Sequence, residues 1–532
     1  MDKALNMGKK SAIGSFHLFI GKIIHTIILG ISSIIVGILI SEGDYGLYAI
    51  ALIPATTILL FQDWGIGSAM TKYCANYRAT ENEKKLRKII ITGLTFEVAT
   101  GLVLTLFSLL IANFVASTLF AKPETSFLIT LSSITVLSTA IYVACQSIFA
   151  GFERMELTTI TMIVFAVMQG LLSPLLVYLG FGAIGAVAGY TFASIVSGLT
   201  AVVLLYFAVF RKLPLDNIKN ETMIQTLKPL LSYGVPLAAI VLIGGISSQF
   251  YSFMMASFTD IAMIGNYVIA SNFMSILAFF SFPITTVLFP AFSKLSPSKD
   301  EKLLKTIYSS SVKYASLLLV PATIAIIVLS QPMINTIFGN KWLNAPLFLI
   351  LGVLGNLFVL LGSLSFGILL TAQGETKMLM KLSLISLCIG IPSAVLLIPL
   401  FGILGVIIVG YIGGIPSLII GVIWTWKRYN VKADFRNSIK IFFASAIAGL
   451  STYYFLIVFV AEAWIMLAFG TLIFLLTYLF SSPLVGAINQ MDLNNLRNML
   501  ADLGFISKIL EIPLLLLEKL LEKYGPRSKK IN

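Results

Sequence analysis

Charge is what this 532-residue chain has least of. Only 11% of its residues are Asp, Glu, Lys or Arg, 58% are hydrophobic, and the mean hydropathy is +0.97. Soluble domains carry about 25% charged residues, so a soluble enzyme, a coiled coil and a disordered chain are excluded. The three cysteines, Cys74, Cys145 and Cys388, are isolated and odd in number, which fits neither a disulfide framework nor a metal site. No Walker loop, Rossmann fingerprint or Ser/His/Asp arrangement occurs. Hence no catalytic residue, no metal, no cofactor and no nucleotide site is expected. A cleavable leader is not expected either. Lys3, Lys9 and Lys10 precede an apolar stretch from Ser11 to Ile40, far longer than the apolar region of a signal peptide.

Long apolar runs take the place of what is missing. Fourteen are long enough to cross about 30 Å of hydrocarbon: 12–40, 45–70, 89–112, 126–150, 158–180, 183–210, 235–258, 266–292, 307–330, 346–370, 379–399, 402–426, 439–460 and 463–484. The expected fold class is an all-α polytopic membrane protein of about fourteen transmembrane helices. Basic residues mark the cytoplasmic side of a membrane protein. With the N-terminus inside, thirty-two of the 36 cations fall in cytoplasmic segments, and only Lys122 and Lys341 fall opposite. Both termini are therefore expected in the cytoplasm. The net charge of +13 serves topology, and no nucleic-acid partner is expected.

An internal repeat joins the first six runs to the second six. Gly46-Leu47-Tyr48-Ala49-Ile50-Ala51 parallels Gly265-Asn266-Tyr267-Val268-Ile269-Ala270, 219 residues later. Phe181-Gly182-Ala183-Ile184-Gly185 parallels Phe401-Gly402-Ile403-Leu404-Gly405, and the turn around Arg154 parallels that around Lys377. An even number of spans per repeat gives both halves one orientation. Two pseudo-symmetric six-helix lobes around a central cleft are expected: an N-lobe at 1–210, a linker at 211–234 and a C-lobe at 235–438. Two extra helices at 439–486 and an amphipathic tail at 487–532 follow.

Several of these residues carry a resemblance. Asp44-Tyr45-Gly46-Leu47-Tyr48-Ala49, Asp63-Trp64-Gly65-Ile66-Gly67-Ser68-Ala69 and Gly151-Phe152-Glu153-Arg154 resemble polysaccharide-export flippases. So do Tyr233-Gly234-Val235-Pro236, Phe289-Pro290-Ala291-Phe292-Ser293-Lys294 and Gln373-Gly374-Glu375-Thr376-Lys377. These flippases belong to the multidrug/oligosaccharidyl-lipid/polysaccharide exporter superfamily, and the resemblance covers about residues 8–480. It implies two six-helix lobes and translocation of polyprenyl-linked oligosaccharide to the outer leaflet. The implied partners are that lipid-linked cargo, membrane lipids and glycan-assembling glycosyltransferases.

Ionisable groups inside spans are functional candidates because their burial is costly. Lys22 lies about 15 Å into the first run at the rise of an α-helix. His17, Gly21, Gly14, Ser32, His25, Ser11 and Lys22 share an arc of about 140°. That face is expected to line the cleft, its cations meeting the pyrophosphate of the implied cargo. Glu97 and Lys313 stand at equivalent places in the repeat, where a bridge across the cleft could gate it, with Asp63 a further ion-pair candidate. Lys313 is also expected to help Lys22, His17 and His25 hold the pyrophosphate. Asp63 is expected to pair with Lys72 or Lys22, while Gln249, beside Ser247 and Ser248, would meet sugar hydroxyls. The turn Ser41-Glu42-Gly43-Asp44 reads as a tight turn, and the tail as an amphipathic helix in the membrane interface with Arg527, Lys529 and Lys530 near lipid. An ion-coupled multidrug antiporter would place acids in the cleft, and a membrane glycosyltransferase would need a large external loop. Both remain as alternatives.

Overall fold

A computed structural model describes residues 2–214, 222–297, 299–501 and 505–524, so part of the expected linker and the cations Arg527, Lys529 and Lys530 lie outside the described residues. The described chain is all-helical. The first half contains α1 (Asp2–Leu39), α2 (Glu42–Leu59), α3 (Ile66–Ala79), α4 (Glu83–Phe114), α5 (Ser126–Gly151), α6 (Met155–Leu176), α7 (Gly182–Ala208), α8 (Met223–Phe258) and α9 (Ile261–Met274). Next come α10 (Ile276–Ser293), α11 (Glu301–Phe338), α12 (Ala345–Val353), α13 (Ser363–Ala372), α14 (Thr376–Phe401) and α15 (Ile403–Tyr429). The chain ends in α16 (Phe435–Val458), α17 (Ala463–Leu484), α18 (Gln490–Ala501) and α19 (Phe505–Tyr524).

Each of the fourteen predicted runs falls on helical segments. By length and apolarity, eleven helices among the described residues can cross a membrane. They become twelve if Ala345–Leu361 and Ser363–Ala372, bent by 62°, form one crossing. The breaks have local causes. Between α2 and α3 the Asp63 carboxylate takes the amides of Gly65 and Gly67 at 2.8 and 3.4 Å. Gly65 there has φ +78 and abuts the Gly234 backbone. A side chain at this position would be both strained and obstructed.

The chain divides into two compact units: Met1–Val268 with Ile391–Val406, and Ile269–Gly390 with Ile407–Asn532. The division falls within α9, α14 and α15 rather than in the expected linker, because α8 packs on helices of the first half. Unit 1 is built around Ile66, Met70, Ile90, Ile148, Phe149 and Leu205, with Leu230 of α8 joining this core. In unit 2, α11 is central. Tyr308 and Val312 pack with Phe292 and Leu369, while Ala315 and Leu319 pack with Ala444, Ala448 and Phe474.

The repeat seen in the sequence recurs in the packing of unit 1. Gly46 of α2 meets the Ile261 carbonyl, and its counterpart Gly265 meets the Glu42 carbonyl. Both contacts relate the same two places of the repeat, 219 residues apart, so helix starts that match in sequence also match in contact. A Cβ on Gly182 would stand 3.5 Å from Asp44 Oδ2, and one on its counterpart Gly402 would stand 3.6 Å from Thr259 Cγ2.

The tail packs on unit 2 with part of its apolar side. Leu514, Leu517 and Leu521 of α19 are buried with Ile488 and Leu493, against Leu317 and Leu479. Leu515 and Leu516 beside them are exposed, so the helix packs on protein with one side and keeps two leucines outward. Arg497 and Glu518 pair at 2.8 Å, and that hydrogen bond holds the Glu518 carboxyl below its usual range.

Candidate functional site

The face of α1 divides into two parts. A Cβ on Gly21 would stand 2.5 Å from Thr159 Cγ2 of α6, and one on Gly14 would stand 3.1 Å from Met155 Cγ. Thr159 Oγ1 donates to the His17 carbonyl at 3.0 Å, and the His25 ring stacks on Phe165 at 6.1 Å. Ser32 is buried. The small-residue part of the expected cleft face is therefore a close seam between α1 and α6, because only glycine permits this approach. Lys22 and His17 are exposed at its edge, while His25 is half-buried within it. The side chain of Ser11 lies outside the described residues.

Glu97 and Lys313 each have a partner other than the one expected. Glu97 is 2% exposed and accepts a hydrogen bond from the Gln62 side-chain amide. Lys313 Nζ pairs with Asp492 Oδ2 of α18 at 2.5 Å, with side chains 12% and 5% exposed. Glu97 and Lys313 thus each belong to a pair within their own unit. Asp63 is occupied in capping α3, and Lys72 stands over the Tyr233 ring at 3.8 Å.

Gln249 takes the Thr57 hydroxyl at 3.0 Å and the Thr56 hydroxyl at 3.5 Å, tying the last third of α8 to the last turn of α2. Toward its C-terminus, α8 is tied again where Lys122 Nζ donates to the Ala256 carbonyl at 2.6 Å. Burial lowers the Lys122 pKa, with Glu124 and Asp260 opposing the shift. The Ser41–Asp44 turn is a helix cap, Ser41 Oγ accepting from the Asp44 amide at 3.0 Å. Its Glu42 takes the Asn266 amide of α9 at 2.7 Å.

Two residues escaped the sequence reading. Asp492 carried a signal, since Asn489 and Asp492 form a reciprocal cap with both backbone bonds at 2.9 Å, a spacing visible in sequence. Its pairing with Lys313 across 179 residues carried none. The other is Asn266, whose bond to Glu42 joins helix starts far apart in the chain. A cavity of about 310 Å³ at the basic end of unit 1 is lined by Tyr77, Lys85, Lys88, Gln225 and Thr226. Its chemistry suits an anionic headgroup.

Eleven or twelve helices able to cross a membrane among the described residues, with a buried ion pair and a cavity lined by cations, mark a multi-pass membrane protein, and the comparisons with known proteins make it a transporter of the cell membrane. Residues 35–347 match the polysaccharide biosynthesis protein family, and 248–480 match the lipid II flippase MurJ family. The first match spans more than half of the chain, and the chain belongs to the polysaccharide biosynthesis protein family. It is similar to the lipid II flippase MurJ of Bacillus subtilis, with 22% identity over 84% of this chain and 88% of that one. Over 31% of this chain and 35% of the other, it is 26% identical to the probable low-salt glycan biosynthesis flippase Agl15 of Haloferax volcanii. Its fold matches the inward closed conformation of lipid II flippase MurJ with a TM-score of 0.70, at 17% identity, covering 88% of this chain and 98% of that one.

Proposed function

We propose that the chain is a flippase moving polyprenyl-(pyro)phosphate-linked oligosaccharide from the inner to the outer leaflet by alternating access. The observation that carries this reading is membership of the polysaccharide biosynthesis protein family over 35–347. Similarity to a flippase across 84% of the chain supports it. No covalent step is required, and the protein's task is to lower the cost of moving a charged, hydroxylated headgroup through hydrocarbon. Fourteen crossings, cytoplasmic termini and six-helix lobes at 1–210 and 235–438 belong to this proposal.

The cavity at Lys85 and Lys88 receives the phosphate in the inner leaflet. Lys22, exposed at the edge of the α1–α6 seam, and His17 beside it offer the next positive charge. His25 holds the seam through Phe165. Gln249 presents an amide in the last third of α8, where sugar hydroxyls need neutral donors and acceptors. Lys313, Glu97 and Asp63 are assigned structural pairings rather than contact with cargo. Glycosyltransferases that build the glycan are the proposed protein partners.

The test is transbilayer movement of a polyprenyl-pyrophosphate oligosaccharide in liposomes holding the purified protein, with Lys22→Ala beside it. Movement by the wild type, reduced about tenfold or more in a folded Lys22→Ala, supports both the reading and the cationic route. Equal movement by both removes Lys22 from the route. No movement by either, with proton or sodium gradients imposed, overturns the flippase reading.

A further inference from the structure

At the end of unit 2 remote from its basic segments there is a second cavity, of about 480 Å³. It lies where α11 ends and α17 begins. Gln331 and Asn335 are four residues apart and share a face of α11. Gly339, at φ +66, then stops the helix and brings Asn340 to the same space. Across from them stands Glu462, whose Oε2 accepts the Trp464 indole N–H at 2.9 Å. This bond fixes the ring beside the carboxylate. No Lys or Arg is among the lining residues.

We propose that this cavity is a saccharide-binding site for one or two sugar rings. Its volume lies within the range of small-molecule pockets, about 300–1,000 Å³. Side-chain amides both donate and accept hydrogen bonds, as sugar hydroxyls do, and a carboxylate accepts two hydroxyls at once. An indole supplies a flat apolar body against which the C–H face of a pyranose packs. A phosphate is disfavoured, because the only charge is the Glu462 carboxylate. Lys302 and Lys305 stand near the start of the 38-residue α11, roughly 50 Å away at the rise of a helix. The rule that places basic ends inside puts the cavity on the outer face. The inference deepens the flippase reading and rests on it for the source of the sugar.

The experiment uses the full chain in nanodiscs and reads saturation transfer by NMR to N,N′-diacetylchitobiose and to maltose. Saturable transfer to either sugar is expected. It should weaken about tenfold in Asn335→Ala and fall likewise in Gln331→Ala, an exposed position whose loss leaves folding intact. Trp464→Phe should retain part of the binding and Trp464→Ala none. Absence of transfer in the wild type leaves Trp464 as a membrane-interface anchor and overturns the proposal. So does binding of tetraphenylphosphonium with none of the sugars. A short polyprenyl-pyrophosphate chitobiose that binds more tightly than the free sugar, with the same loss in Asn335→Ala, assigns the site to arriving cargo. Equal affinities assign it to free outer glycan, and both results uphold a saccharide site. Sugar binding without lipid movement in liposomes would sink the flippase reading while leaving the site. Lipid movement without sugar binding would do the reverse.

Discussion

Glu97 illustrates how little a residue's charge says about its role before its neighbours are known. The sequence marks it as an acid within an apolar run. In the fold it is a buried acceptor for Gln62. Glu97→Gln keeps an acceptor for that amide and is expected to leave the unfolding temperature unchanged or higher. Glu97→Leu strands the Gln62 amide and should cost about 1–3 kcal/mol, measured by thermal unfolding in detergent. Lys313 is the second case. Its partner Asp492 is 5% exposed at the side chain, so Lys313→Ala leaves a buried carboxylate without its cation and should cost about 3–5 kcal/mol. The double variant Lys313→Ala/Asp492→Ala should cost less than the sum of the singles. Strict additivity in that cycle would remove the pair as a clasp between α11 and α18. Residue identity and depth were legible here; the partners were not, because each pairing depends on how distant helices pack.

Helices are more legible than their faces. Apolar length places all fourteen runs on helices, because hydrocarbon forces backbone groups to bond within their own segment, and eleven or twelve helices among the described residues are long and apolar enough to cross. The face of α1 was a different matter. Small residues and polar ones occupy the same arc, and periodicity cannot separate a packing seam from a cleft lining. The Gly21–Thr159 approach at 2.5 Å for an added Cβ makes the seam specific. Gly21→Val should cost about 1–3 kcal/mol through forced separation of α1 and α6. Gly30, with nothing within 4 Å of an added Cβ, is the control on the same helix. Gly30→Ala should be neutral or stabilising by up to about 1 kcal/mol. Equal unfolding temperatures for both variants would remove the seam as the reason for Gly21. The tail was legible only in part for a related reason: an amphipathic stretch seeks an apolar surface, and Leu514, Leu517 and Leu521 find one against Leu317 and Leu479, while Leu515 and Leu516 stay exposed.

For the whole molecule, alternating access requires contacts that form in one state and part in another. In the alternating access proposed above, the contact expected to part is the α2–α9 crossing, where glycines meet carbonyls and one hydrogen bond joins Glu42 to Asn266 at 2.7 Å. A Glu42→Cys/Asn266→Cys disulfide is expected to stop lipid movement in liposomes, with reductant restoring it. Full movement in the oxidised form would place the opening elsewhere.

Composition by itself determined a polytopic membrane protein, since a chain with 11% charge cannot cover itself in water. Repetition determined its duplicated set of helices, since equal sequence at equal spacing folds to equal local structure. Neither could determine which charges meet, which arc of α1 is sealed against α6, or which surface the tail covers. Those outcomes rest on contacts such as Lys313 with Asp492, 179 residues apart. Only packing brings such groups within hydrogen-bond reach, and it is packing that decides whether a buried charge is paired.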